Sequence, residues 1–344
     1  MVTTNYRVIG AELSPYSVKV RSYFRYKGLP HEWLLRSAAT EAEFQQHATL
    51  PLIPLVICPD GTALQDSTPL IERLEKIHPE PPLEPADPAL AFLSALIEEY
   101  ADEWGNKPMF HYRWTYEADQ QSAAERIARG MMPGVDEDAV LAAAGTIKTR
   151  MVPRLAFVGS SAATSGIIEA SLHRQLAILE RHLERRPYLF GGRPTLGDLG
   201  LYAQLYQCST DPTPGALMRE RAPRTLAWIA RMLEPRTMGE LEPWARLAPT
   251  LLPLLRDEVA AVFLPWSAAN ARALAAGEKT FTVTLDGRPF SQETQKYHAR
   301  SLAALRARYA AVRDGAARDR LDRLDHLDRL DRILDESGCR SWLQ

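Results

Sequence analysis

Residues 79–88, PEPPLEPADP, hold five prolines. Each proline fixes φ and withholds an N–H, so neither a helix nor a strand ladder runs through such a stretch, and it reads as a stiff linker. The chain is thereby split into a short front segment and a long rear one. Its length of 344 residues exceeds one comfortable hydrophobic core, so two domains, or one domain with a large extension, are expected.

In the front segment, Tyr6-Arg-Val-Ile-Gly10 is β-rich, and Ser14-Pro15 follows as a cap residue with proline at the first helical position. Val20, Tyr23 and Phe24 share one face of the helix this opens, and Gly28 with Pro30 stops it. A strand at His31 to Leu35 and a polar helix near Glu41 to His47 come next. Leu52 to Ile57, the turn Pro59-Asp60-Gly61 and Thr62-Ala63-Leu64 form a hairpin signature. Thr68-Pro69 opens a further helix through about His78, with Leu70, Ile71 and Leu74 inward. The predicted order is β-α-β-α-β-β-α.

Behind the linker the pattern is helical with one exception. A long helix from Ala89 carries Tyr100, Trp104, Phe110, Tyr112, Trp114 and Tyr116, and later helices cover about Ser171 to Glu184 and Leu196 to Tyr206. The exception is Thr280 to Phe290, where β-branched residues alternate around Asp286-Gly287 and predict a small hairpin. The terminal run RLDRLDHLDRLDRILDE repeats every third residue, so its leucines step back by about 60° and spiral around a helix instead of forming a seam. The expected division is 1–78, a linker at 79–88, a helical domain at 89–239 and a helical extension with the hairpin at 240–344.

A formal charge of -2 with 24% charged residues gives no pull toward nucleic acid or anionic lipid. No apolar run approaches the roughly 18 residues of a membrane span, and the opening lacks a leader pattern, so a cytoplasmic protein is expected. Cys58, Cys208 and Cys339 are too few and too scattered for a disulfide framework or a thiolate metal site. Glu99, Asp102, Glu103 and His111 approach ligand spacing, but no second ligand helix accompanies them, and no metal is expected.

Ser14-Pro15-Tyr16-Ser17 stands between the first strand and the first helix. Free N–H groups at a helix start favour an anion, and a serine hydroxyl can donate to a thiolate held there. Lowering a thiol pKa by two units needs about 2.7 kcal/mol, which one charge-assisted hydrogen bond and the helix dipole together supply. The plain alternative is that Ser14 only caps the helix. Tyr6 and Tyr16 are rival hydroxyls, but Tyr6 comes too early in the strand and Tyr16 is already inside the helix. Ile53-Pro54 is either a cis-proline exposing the preceding backbone or an ordinary trans-proline opening a strand. Gln65-Asp66-Ser67 gathers a carboxylate, a hydroxyl and free helix N–H groups, which suits a zwitterionic amino-acid end.

Ser14-Pro15-Tyr16-Ser17, Ile53-Pro54 and Asp66-Ser67, followed by the Pro-rich linker, resemble the cytosolic glutathione S-transferase superfamily, in a serine-type form with an extended C-terminal region. Gly191-Gly-Arg-Pro-Thr195-Leu-Gly-Asp198 is similar to that family's capping box in the helical domain. The resemblance implies an α/β thioredoxin-like N-terminal domain plus an all-α C-terminal domain, glutathione as co-substrate, a small hydrophobic electrophile as partner and a homodimer. Beyond about residue 235 it fades. By resemblance Ser14 meets the glutathione sulfur, Ile53 before Pro54 pairs with the cysteinyl backbone, and Asp66 and Ser67 hold the γ-glutamyl group. Tyr16 lies at the cleft wall.

Where the family often has a polar residue before the cis-proline, this chain has Leu50-Pro51-Leu52, leaving Gln45, Gln46 or His47 for the glycyl carboxylate. Trp104, His111 and Trp114 are candidates for the acceptor pocket. The implied activity is attack of an activated glutathione thiol on a hydrophobic electrophile. The alternatives are a non-catalytic binding protein of the same fold, or a glutathione-dependent isomerase or lyase.

Overall fold

The computed structural model describes residues 5–313; the three-residue repeat at the C-terminus lies outside them. Strands β1 (Tyr6–Gly10), β2 (His31–Leu35), β3 (Leu55–Ile57) and β4 (Ala63–Gln65) form one sheet in the order β2-β1-β3-β4. β1 and β2 are parallel, with Val8 opposite Trp33, and α1 (Pro15–Tyr26) is the crossover that parallel pairing demands. β3 runs antiparallel to β1, and β4 to β3. Alternation along the strands splits the burial: Ile9, Leu55 and Ile57 pack with Phe44 of α2 (Glu41–His47) on one face. Val8, Val56 and Leu64 face Val20, Phe24 and the inward residues of α3 (Ser67–Ile77) on the other.

Two boundaries differ from the sequence reading. The strand expected from Leu52 starts only at Leu55, because Pro54 has no N–H for the ladder and the Leu52 carbonyl is taken by the Gln65 side chain at 2.7 Å. α3 starts one residue early, at Ser67, because Asp66 occupies its N-cap.

The rear of the chain comprises α4 (Pro88–Tyr100), α5 (Asn106–Thr115), α6 (Glu117–Met131), α7 (Glu137–Met151), α8 (Ser165–His182), α9 (Leu196–Thr210), α10 (Pro212–Arg221) and α11 (Pro223–Leu233). A π-turn at Ala101–Gly105 joins α4 to α5. α9 runs through the middle, packed on α1 and α4, and its start carries the expected capping box. Asp198 accepts from the Thr195 N–H at 3.0 Å, and its other oxygen accepts from the Leu189 N–H and the Trp228 indole.

The last elements are α12 (Trp244–Pro253), a π-helical segment at Leu254–Phe263, α13 (Leu264–Ala275), the hairpin β5 (Thr280–Leu285) and β6 (Arg288–Glu293), and α14 (Lys296–Arg313). Asp286 and Gly287 both have positive φ, 51° and 72°, as the two-residue turn requires. The hairpin is bound to the helical core by the fully buried Lys107 of α5, whose Nζ donates to Gln292 at 3.0 Å and lies 4.0 Å from the Trp266 ring centroid. α14 lies along α4 and α13. Among the described residues no helix is long and apolar enough to cross a membrane.

Candidate active site

Ser14 caps α1 in an extended conformation, and its Oγ accepts from the Ser17 N–H at 3.2 Å. Capping uses an oxygen lone pair and leaves the hydroxyl proton free to donate outward, so the cap and a thiol-directed role are compatible. Gly10 makes the tight entry possible: a Cβ there would lie 2.9 Å from the Ser17 Cβ and 2.8 Å from the Trp33 ring. The loop before Ser14 is fixed from behind. Arg113 of α5 donates to the Leu13 carbonyl at 3.0 Å while paired with Asp211 at 2.8 Å, and Gln207 of α9 donates to the Glu12 carbonyl at 2.7 Å.

A cavity of about 370 Å³ opens at Ser14, with Tyr16 and Ile53 on the sheet side and Asn106, Phe110 and Trp114 across from them. The Ile53-Pro54 peptide is cis, and Ile53 precedes the ladder, which begins at Leu55. Tyr16 donates to the Asp102 carbonyl at 3.1 Å and accepts from Asn106 at 3.4 Å. Burial, then the nearby Asp102 carboxylate, pushes its phenol far above the ordinary range, so it stays protonated.

Asp66 and Ser67 stand at the start of α3. Asp66 is held at φ 68°, ψ 111°, outside the conformations L-residues favour. Such geometry costs of order 1–3 kcal/mol and persists where neighbours over-determine it. Here Gln65, immediately before it, is bonded to the Thr49 and Leu50 N–H groups and to the Leu50 and Leu52 carbonyls. Behind the pair lies a buried ionic cluster. Lys19 of α1, fully buried, is bonded to Glu98 of α4, to Asp102 at 2.6 Å and to Thr68 at 3.1 Å. This cluster ties α1, α3 and α4 together directly under the candidate site.

Of the residues singled out from sequence, Ser14, Tyr16, Ile53 and Trp114 line one cavity, while Asp66 lines a neighbouring one. Pro54 and Ser67 are buried beside them. Trp104 and His111 lie elsewhere. Trp104 is fully buried, donates to Ser171 at 2.9 Å and packs on Trp266 and Phe290. His111 is buried between Ser160 at 2.8 Å and Glu169 at 3.0 Å. Each has its ring nitrogens committed to interior partners, which holds it in the helical core and away from the Ser14 cavity. Gln46 is exposed on α2 and lines neither cavity, and Leu50 and Leu52 are 46% and 58% exposed.

Sequence reasoning missed Asn106, Phe110 and Arg113, although with Trp114 they recur at the i, i+4, i+7, i+8 spacing of one helix face. It also missed Lys19, whose partners Glu98 and Asp102 lie about eighty residues away in the chain.

The chain matches the family models for the glutathione S-transferase N-terminal domain over residues 8–82 and C-terminal domain over residues 123–231. It is 24% identical over 212 residues to the isoprene-epoxide–glutathione S-transferase of Rhodococcus sp. (strain AD45), covering 58% of this chain and 82% of that one. Among solved structures, a glutathione S-transferase from Methylobacterium radiotolerans in complex with glutathione sulfonate is 23% identical, with a TM-score of 0.42, covering 70% of this chain and 99% of that one. The beta-etherase LigF of Sphingobium sp. strain SYK-6 is 20% identical, with a TM-score of 0.43, covering 67% of this chain and 95% of that one. With an α/β N-terminal part, a helical body and both family domains present, the chain belongs to the glutathione S-transferase superfamily.

Proposed function

We propose that the protein is a glutathione transferase that activates the glutathione thiol at Ser14 and directs it at a small hydrophobic electrophile. The observation that carries this reading is the meeting of the Ser14 hydroxyl, its proton unspent, with Ile53 and an otherwise largely apolar cavity wall. Glutathione, when bound, supplies the nucleophilic sulfur. Ser14 and the α1 N-terminus stabilise the thiolate form, Ile53 offers backbone groups outside the ladder to the cysteinyl unit, and Asp66 and Ser67 hold the amino-acid end. Met109, Phe110 and Trp114 give an electrophile an apolar wall. The epoxide substrate named for the Rhodococcus relative is an electrophile of this size and polarity. The division at residues 79–88, a cytoplasmic location and a homodimer are part of the same reading.

The test is conjugation of an apolar epoxide, measured together with the ultraviolet absorbance of bound thiolate. Ser14→Ala should lower kcat/KM by about a hundredfold and return the bound thiol to its ordinary titration near 8.5. An unchanged titration in the variant would remove Ser14 from the chemistry. The exposed Leu50 and Leu52, where a polar contact to the glycyl carboxylate is expected, favour the non-catalytic reading; glutathione binding without turnover across an electrophile panel would establish it.

A further inference from the structure

A second cavity of about 290 Å³ lies beyond the Ser14 cavity, lined among others by Asp66, Thr68, Asp102, Tyr297 and Arg300. Asp102 connects the two: its side chain faces the second cavity, and its backbone carbonyl accepts from Tyr16, which lines the first. One wall of this cavity is α14, from the extension that carries no match to either family model.

Several of the carboxylates around it are accounted for. Glu98 meets Lys19, Glu99 meets Ser301, Glu103 meets His298, and Glu72 meets Arg308. Asp66 accepts from the Tyr297 hydroxyl at 3.2 Å and, as a carboxylate, keeps further acceptor capacity. Asp102 is only 6% exposed, and while one of its oxygens takes Lys19, Oδ1 has no hydrogen-bond partner. A buried carboxylate oxygen without a donor marks a place for one. On the opposite sign, Arg300 is exposed at the cavity and forms no ion pair among the described residues. Two carboxylates with acceptor capacity and one uncommitted guanidinium match an ammonium and a carboxylate carried on one carbon atom.

We propose that α14 completes the amino-acid subsite of the glutathione site: the γ-glutamyl ammonium lies between Asp66 and Asp102, and the adjoining α-carboxylate pairs with Arg300. This rests on the glutathione reading above. Tyr297 is a positioning residue, holding the Asp66 carboxylate at the cavity wall through its hydroxyl. An element outside the two family-matched regions thus sets selectivity for a zwitterionic end over a simple thiol.

The test is calorimetric titration of the full chain with three thiols: glutathione, γ-aminobutyryl-cysteinylglycine, which lacks the α-carboxylate, and glutaryl-cysteinylglycine, which lacks the ammonium. Arg300→Gln should weaken glutathione about tenfold and leave γ-aminobutyryl-cysteinylglycine unchanged. Asp102→Asn should weaken glutathione and leave glutaryl-cysteinylglycine unchanged. If the buried Asp102 variant fails to fold, the exposed Arg300 variant decides. Equal glutathione affinity in the wild type and Arg300→Gln, or equal losses for all three thiols, overturns the proposal while leaving the glutathione reading standing. Failure of the wild type to bind glutathione overturns both.

Discussion

The two ends of the candidate site are built in opposite ways. At the Ser14 end the parts come from one short stretch: strand, Gly10, cap and proline lie within ten residues and are supported by the Arg113 and Gln207 clamps. At the Asp66 end the parts come from three distant places, with Lys19 and Glu98 beneath the carboxylate and Tyr297, 231 residues away, above it. The first end is local backbone chemistry beside a largely apolar cavity wall, with the Arg113–Asp211 ion pair set behind the loop. The second is a tertiary assembly in which carboxylates outnumber cations, and its properties depend on which charges are present.

The largest expected effect follows from breaking the cluster beneath the second end. Lys19→Met leaves Glu98 and Asp102 buried without their cation and should cost about 3–5 kcal/mol in a denaturant titration. A loss under about 1 kcal/mol would mean the cluster does not hold α1, α3 and α4 together.

The same cluster sets a pH dependence. Burial, then the Glu98 and Asp66 charges, push Asp102 up to about 7 against the opposing pull of Lys19, from an ordinary value of 3.8. A carboxyl raised in the folded state contributes stability that is present in full below about pH 4 and lost as pH rises through about 7. Wild-type stability should therefore fall relative to Asp102→Asn across that window, by an amount on the order of a few kcal/mol. Parallel pH profiles for the two proteins would show that no proton is held there.

At the Ser14 end the informative change is a gain. Ser14→Cys places a thiol on the α1 N-terminus, where its pKa should drop below about 8.5, and should create glutathione exchange with disulfides. An unshifted thiol without exchange activity would place Ser14 away from the sulfur site. Smallest of all, Tyr297→Phe removes one partly exposed hydrogen bond to Asp66 and should weaken glutathione by about threefold, read as KM with kcat unchanged. A change in kcat would move Tyr297 from positioning into chemistry.

This contrast also accounts for what the sequence revealed. The strand and helix order, the capping box at Thr195 and the Asp286-Gly287 hairpin are local signals and stand in the structure. The sequence leaves the isomer of Ile53-Pro54 open, because the tertiary setting decides it, and the peptide is cis. Trp104 and His111 lie in the helical core and not at the cavity, because aromatic content identifies a buried helix but not which face meets a cavity. Lys19, Tyr297 and Arg300 carry no local signature at all: a lysine inside an amphipathic helix and a tyrosine and arginine near the far end acquire meaning only once α1, α4 and α14 are packed together.

The most direct test is calorimetric titration of the full chain with glutathione at millimolar concentration, at a pH above the Asp102 transition. The expected result is saturable binding at one site, with heat that diminishes when either Ser14→Ala or Arg300→Gln replaces the wild type. No binding heat from the wild type at that concentration would contradict the reading of Ser14 and Asp66 as two ends of one glutathione site.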